Sequence, residues 1–167
     1  MSPALKSHPD IHHLGLSIQL LLKLFVCQTC KIALTGDNIG NHLHNFHNIG
    51  VGIRVDAFKI RQIINEYGLL KEIPIINGPI PQVEGLLLFK DCVKCPKCNN
   101  IYSKESLRMH YSRQHPDLIN PKADSLPVIF AQQLNKGANK KLFEVIPTPT
   151  PTTSFSTSSP QEIIQHL

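Results

Sequence analysis

Apolar positions in this chain fall in short runs separated by polar and proline-rich stretches. Residues 14–26 read L-G-L-S-I-Q-L-L-L-K-L-F-V. The run is too short to span a bilayer, which takes about 20 apolar residues, and it carries Lys23. It leads into Cys27 with no small-residue cleavage site, so it does not read as a secretory leader. It predicts a strand that delivers Cys27. Residues 39–47 predict a short helix. Between Asp56 and Tyr67, Ile60, Ile63, Ile64 and Tyr67 recur at the spacing of one apolar helix face. Asp56 is the predicted N-cap and Gly68 the stop. Residues 69–85 contain Pro74, Pro79 and Pro81 and are expected to be extended. Residues 86–89 form a short apolar run before the next cysteines. A helix is predicted over 125–135, with Pro127 near its first turn, and a strand over 142–146. The ends differ in composition. Residues 1–13 are polar, with two prolines and three histidines, and are expected to be poorly ordered. From Pro147 the chain reads P-T-P-T-P-T-T-S-F-S-T-S-S-P, too poor in apolar residues to fold.

Two stretches carry the candidate chemistry. Cys27, Cys30, His42 and His47 follow the spacing C-x2-C-x11-H-x4-H, and so do Cys95, Cys98, His110 and His115. Each ligand of the second set lies 68 positions after its counterpart in the first. Two thiolates and two imidazoles are the donor set of a tetrahedral structural zinc site. A cysteine knuckle followed by histidines one helical turn apart would bring them together. Candidate core positions repeat as well: Leu34 stands opposite Tyr102, and Ile39 opposite Leu107. His44 offers a rival pairing with His47, but the repeat places Ser112 opposite it. Cys92 lies three residues before Cys95, giving two overlapping C-x2-C pairs, and the repeat selects Cys95 with Cys98. Pro116 stops the second helix after His115. The common two-Cys two-His finger has about twelve residues between its second cysteine and first histidine. Both copies here have eleven, which shifts the expected start of each helix.

Composition favours small units clamped by metal over one large core. Only 6% of the 167 residues are aromatic, there is no Trp, and 13 residues are Pro. The expected fold is small α+β and metal-stabilised: two ββα-like zinc fingers joined by a helical and Pro-rich linker, with disordered termini. The expected units are a first finger with its leading strand over 14–50, a linker over 51–91 and a second finger over 92–120. A helix and short strand over 121–146 would precede the tail over 147–167. Four of the five cysteines fall into the repeat, so zinc ligation is a better reading than a disulfide framework. Reduced thiols holding two zinc ions imply the nucleus or cytoplasm.

The first finger with its H-L-x-x-x-H helix, the P-I-P-x-x-E-G-L approach, the C-P-K-C pair, and the trailing A-Q-Q-L and K-L-F-E-V are familiar in combination. Together they resemble a fungal family with two zinc fingers, named after orsellinic acid biosynthesis cluster protein D. The resemblance covers roughly residues 14–146. It implies a fungal protein with two finger-like modules. Some members are joined to much larger proteins with helicase-like or recombination-related parts. The chain shows no G-x-x-x-x-G-K-[ST] phosphate loop of its own.

The net charge of +5 and a pI near 9.0 are compatible with DNA or RNA as a partner. Lys97, Lys104, Arg108 and Arg113 are the candidate nucleic-acid contacts, beside Lys94. The base-facing positions of the second finger would be Ser103, Ser106 and Met109, and those of the first Thr35, Asn38 and Asn41. None is an Arg, so binding would run through phosphates with weak sequence preference. The alternative is a protein-interaction module that uses the apolar helix over 56–67. The position of the basic side chains, on one face or scattered, discriminates the two. Two closed four-ligand sites, and no evident triad or carboxylate pair, argue against an enzyme and a small-molecule substrate, and the shortness of the 14–26 run argues against a membrane role.

Overall fold

Strand alternation accounts for how the first half of the chain is buried on both sides. The computed structural model describes residues 5–49, 56–136 and 141–148. Leu5–Lys6 (β1), Leu16–Gln19 (β2), Leu24–Cys27 (β3) and Ile32–Leu34 (β4) form an antiparallel sheet in that order. Every residue of β2, β3 and β4 is buried. Successive side chains point to opposite faces. Leu16, Ile18, Phe25, Cys27, Ile32 and Leu34 enter one core, while Leu24, Val26 and Ala33 enter another.

The first core is closed by three helices: Pro9–His12 (α1), Ile39–His47 (α2) and Ala57–Tyr67 (α3). They contribute Ile11, Ile39, Leu43, Ile60 and Ile63. Asp56 caps α3 by accepting from the Phe58 and Lys59 N–H groups, and Gly68 ends it in the left-handed region. Gly36 sits against the Ile64 and Ile60 side chains, where a Cβ would collide with Ile64. The apolar face of α3 is therefore filled by this chain's own residues.

Two expectations about the N-terminal part are corrected. Residues 14–26 are a hairpin, not one strand: the chain turns between Gln19 and Leu24. The turn is hidden in the sequence because Leu20, Leu21 and Leu22 are apolar. The buried Gln19 side chain makes it by accepting from the Leu21 N–H at 2.9 Å. Residues 5–13 are also ordered, through strand β1 and helix α1. A single fully buried side chain, Ile11, anchors them, and Pro9 suits the first turn of α1. Residues 1–4, and the tract from 149 onward expected to be disordered, lie outside the described residues.

The second half forms a five-stranded sheet. Ile80–Pro81 (β5), Leu88–Lys94 (β6), Ile101–Ser103 (β7), Ile129–Gln133 (β8) and Leu142–Ile146 (β9) lie in the order β5-β9-β8-β6-β7. Helix Lys104–Gln114 (α4) follows β7. The helix expected over 125–135 is corrected to a 3-10 turn, Ala123–Ser125, and the strand β8. Tertiary context overrides local propensity here. β8 sits between β6 and β9, and its buried Gln132 amide bonds to the Val83 N–H and to the Val83 and Leu86 carbonyls.

The expectation of two fingers joined by a linker is corrected too. Leu22 of the β2–β3 turn and Leu24, Val26 and Ala33 of the first sheet share one core with Val83, Leu86, Leu134, Phe143 and Val145. Ile73, Ile76 and Ile80 of the Pro-rich segment pack against it, so that segment fills the core between the halves. Backbone bonds also cross: Ala33 N–H to the Leu134 carbonyl at 2.7 Å, and Leu87 N–H to the Lys31 carbonyl at 3.2 Å.

Candidate metal centres

The 68-residue repeat is a repeat of backbone geometry. In the first copy Phe25 pairs with Leu34 and Val26 with Ala33; in the second Val93 pairs with Tyr102 and Lys94 with Ile101. Each hairpin turns at a cysteine knuckle. The Lys31 N–H bonds to the Cys27 carbonyl at 2.9 Å, and the Asn99 N–H to the Cys95 carbonyl at 2.9 Å. Lys31 and Asn99 are both left-handed, with φ of 56° and 59°. The helix starts differ. Ser103 caps α4 by accepting from the Ser106 N–H. Its counterpart Thr35 makes no such bond, and a 3-10 turn over Gly36–Asn38 precedes α2.

Each hairpin and helix bring four donors together. Cys27, Cys30, His42 and His47 offer ligand atoms that all lie within 4.8 Å of one another, and so do Cys95, Cys98, His110 and His115. The His47 Nε2 lies 3.3 Å from the Cys27 Sγ, 3.4 Å from the Cys30 Sγ and 3.2 Å from the His42 Nε2. The Cys98 Sγ lies 3.3 Å from the His110 Nε2. Zinc bonds of about 2.3 Å to sulfur and about 2.0–2.1 Å to nitrogen separate neighbouring ligands of a tetrahedron by roughly 3.3–3.8 Å. The observed separations are close to those edges.

The electrostatics suit a cation as well. The His115 Nε2 is buried without a hydrogen-bond partner, the one such side-chain atom among the described residues. A buried nitrogen in that state is destabilising unless something binds it. Burial, by contrast, pushes the Cys27 and Cys98 thiols above their ordinary range, so a cation must displace their protons. Burial pushes the His42 and His110 imidazoles below theirs, helped by the adjacent His47 and His115. Neutral imidazole is the form that ligates metal. The Tyr102 ring stacks on His110 with centroids 4.2 Å apart and holds it in place. Each group can thus hold a metal ion. His44 is exposed and Cys92 is buried in β6, and neither belongs to a four-donor group.

The candidate nucleic-acid contacts are dispersed. Lys104 is paired with Asp124 at 3.1 Å, and Lys94 with Glu144. Lys97, Arg108 and Arg113 are exposed and make no ion pair among the described residues. Arg108 and Arg113 are five residues apart on α4, which separates them by about 140° around its axis. Ser103, Ser106 and Met109 do not face open solvent alone. They line a groove of about 520 Å³ whose other walls include Phe89, Gln133 and Leu142. These wall residues carry no recognisable motif, and the pairing of β8 with both β6 and β9 brings them together beside α4. No helix among the described residues is long and apolar enough to cross a membrane. The chain matches no family model, no curated protein and no solved structure.

Proposed function

We propose that this chain is a non-catalytic, zinc-stabilised protein-binding module, with two ββα-like fingers built into one body. Convergence of two sulfur and two nitrogen donors at each of two sites carries this reading. Sulfur and imidazole donors in tetrahedral array favour zinc over the hard cations. Four protein ligands leave no position for a reacting water, so both ions are structural. A protein partner is favoured because the α4 positions that would read bases line a groove shared with residues of the chain's own sheet. Binding to nucleic acid through phosphates is the second reading, supported by Lys97, Arg108 and Arg113, which make no ion pair among the described residues. Titrating zinc-loaded protein with random duplex DNA and single-stranded RNA at several salt concentrations separates them. The protein-binding reading expects no salt-dependent binding to either. A linear fall of log affinity with log salt would establish the phosphate reading instead.

A further inference from the structure

We propose that the groove between α4 and the second sheet binds a short acidic peptide, seating one apolar side chain beside Arg113. This deepens the protein-binding reading and rests on it. Phe89, Ile101, Met109 and Leu142 give the groove its apolar walls, and Met109 is 58% exposed. Its volume of about 520 Å³ falls in the range of sites that take a small ligand or a peptide side chain. Among the described residues no Asp or Glu lines it, and Arg113 is its one permanent charge. Lys94 and Lys104 have carboxylate partners within the chain, whereas Arg113 has none among the described residues.

Gln133 supplies an independent observation. The residue is 7% exposed and lines the groove, and its side-chain amide, which makes no hydrogen bond among the described residues, is not sealed from solvent. The adjacent Gln132 uses its amide fully on Val83 and Leu86. An amide that opens onto the groove can donate to a peptide carbonyl and accept from a peptide N–H. β6 also breaks register between Phe89 and Cys92 along this wall, an irregularity of the kind that re-aims side chains at sites. A phosphate alone would answer Arg113 but not the apolar walls. A carboxylate next to Leu or Phe answers Arg113, the walls and Gln133 together, and the guanidinium can grip it bidentately.

The test uses the full zinc-loaded chain and three fluorescent synthetic peptides. One alternates Asp or Glu with Leu or Phe, one replaces the acids by Lys, and one replaces the apolar residues by Ala. Anisotropy should show saturable binding of the first alone. Arg113→Glu should weaken it at least about tenfold, and Met109→Lys and Gln133→Leu should weaken it measurably. Arg61→Glu, on α3, should not. Zinc content and melting temperature of each variant report whether it is folded. If the acidic peptide binds wild type and folded Arg113→Glu and Met109→Lys equally well, the groove assignment is overturned while protein binding stands. If the Lys or Ala peptide binds as well as the acidic one, the proposed chemistry is wrong. If no peptide binds and nucleic acid does, with a salt slope, the protein-binding reading falls with it.

Discussion

His42 is 5% exposed at the floor of the first site, whereas His44, two residues on, points to solvent. His42→Ala is expected to lower zinc content by one ion per chain, and His44→Ala to leave it unchanged, by metal analysis of purified protein. Cys92→Ser should likewise keep both ions, because Cys92 lies outside the second group. Acid should release the metal. Burial holds His42 and His110 below the ordinary histidine value of 6.5, so the fold favours their neutral forms. That contribution is full above the ordinary value and is lost as pH falls through the lowered folded values. The Cys27 and Cys98 thiols, raised by burial, shift in the opposite direction and hold their protons, so a metal ion must displace those protons and acid competes with it. Zinc retention against pH should therefore fall on acidification. Retention independent of pH would contradict it. At this scale the sequence was most legible: the eight side chains singled out by spacing do come together, because C-x2-C and H-x4-H are local geometries. His115's orphan nitrogen and the Tyr102 stack on His110 were not legible, as both depend on how the helix lies over the hairpin.

At the scale of elements, the two knuckles place non-glycine residues in the left-handed region. Lys31→Val and Asn99→Val should each destabilise the protein by about 1–2 kcal/mol, since a β-branched side chain is poorly tolerated there. Urea titration of the zinc-loaded protein measures this, and unchanged midpoints would count against the knuckle geometry. β8 offers a second case. Gln132→Ala should cost about 2–3 kcal/mol, because it strands buried backbone groups at Val83 and Leu86. Helix α3 was readable from its cap and periodicity and α2 from the spacing of its histidines, and strand β9 lies where a strand was expected. β8 was not: I-F-A-Q-Q has no helix-breaking residue within it, and only its neighbours β6 and β9 make it a strand. The β2–β3 turn was hidden for a related reason, in that leucines fill it where glycine or asparagine would have marked it.

At the scale of the molecule, the two halves depend on each other unequally. The first hairpin and α2 need Ile11, Ile60, Ile63 and Leu69 to complete one core, and Val83, Leu86 and Phe143 for the other. The second has a small core largely of its own, in Val93, Cys95, Leu107 and Tyr111 with Tyr102, Ala123 and Leu126. A fragment of residues 14–50 with zinc is expected to show no cooperative thermal transition, while a fragment of residues 92–126 with zinc should show one. Contacts between residues 24–33 and 134–145 leave no local trace, so the expectation of separate fingers was natural and was wrong. The central claim is that the chain holds two structural zinc ions, each in a closed set of four ligands. Native mass spectrometry of the intact, zinc-loaded chain tests it most directly, alongside Cys27→Ser and Cys98→Ser. Two zinc ions per wild-type chain and one in each variant are expected. A wild-type chain that binds no zinc or a single ion, or a Cys98→Ser chain that keeps two, would contradict it.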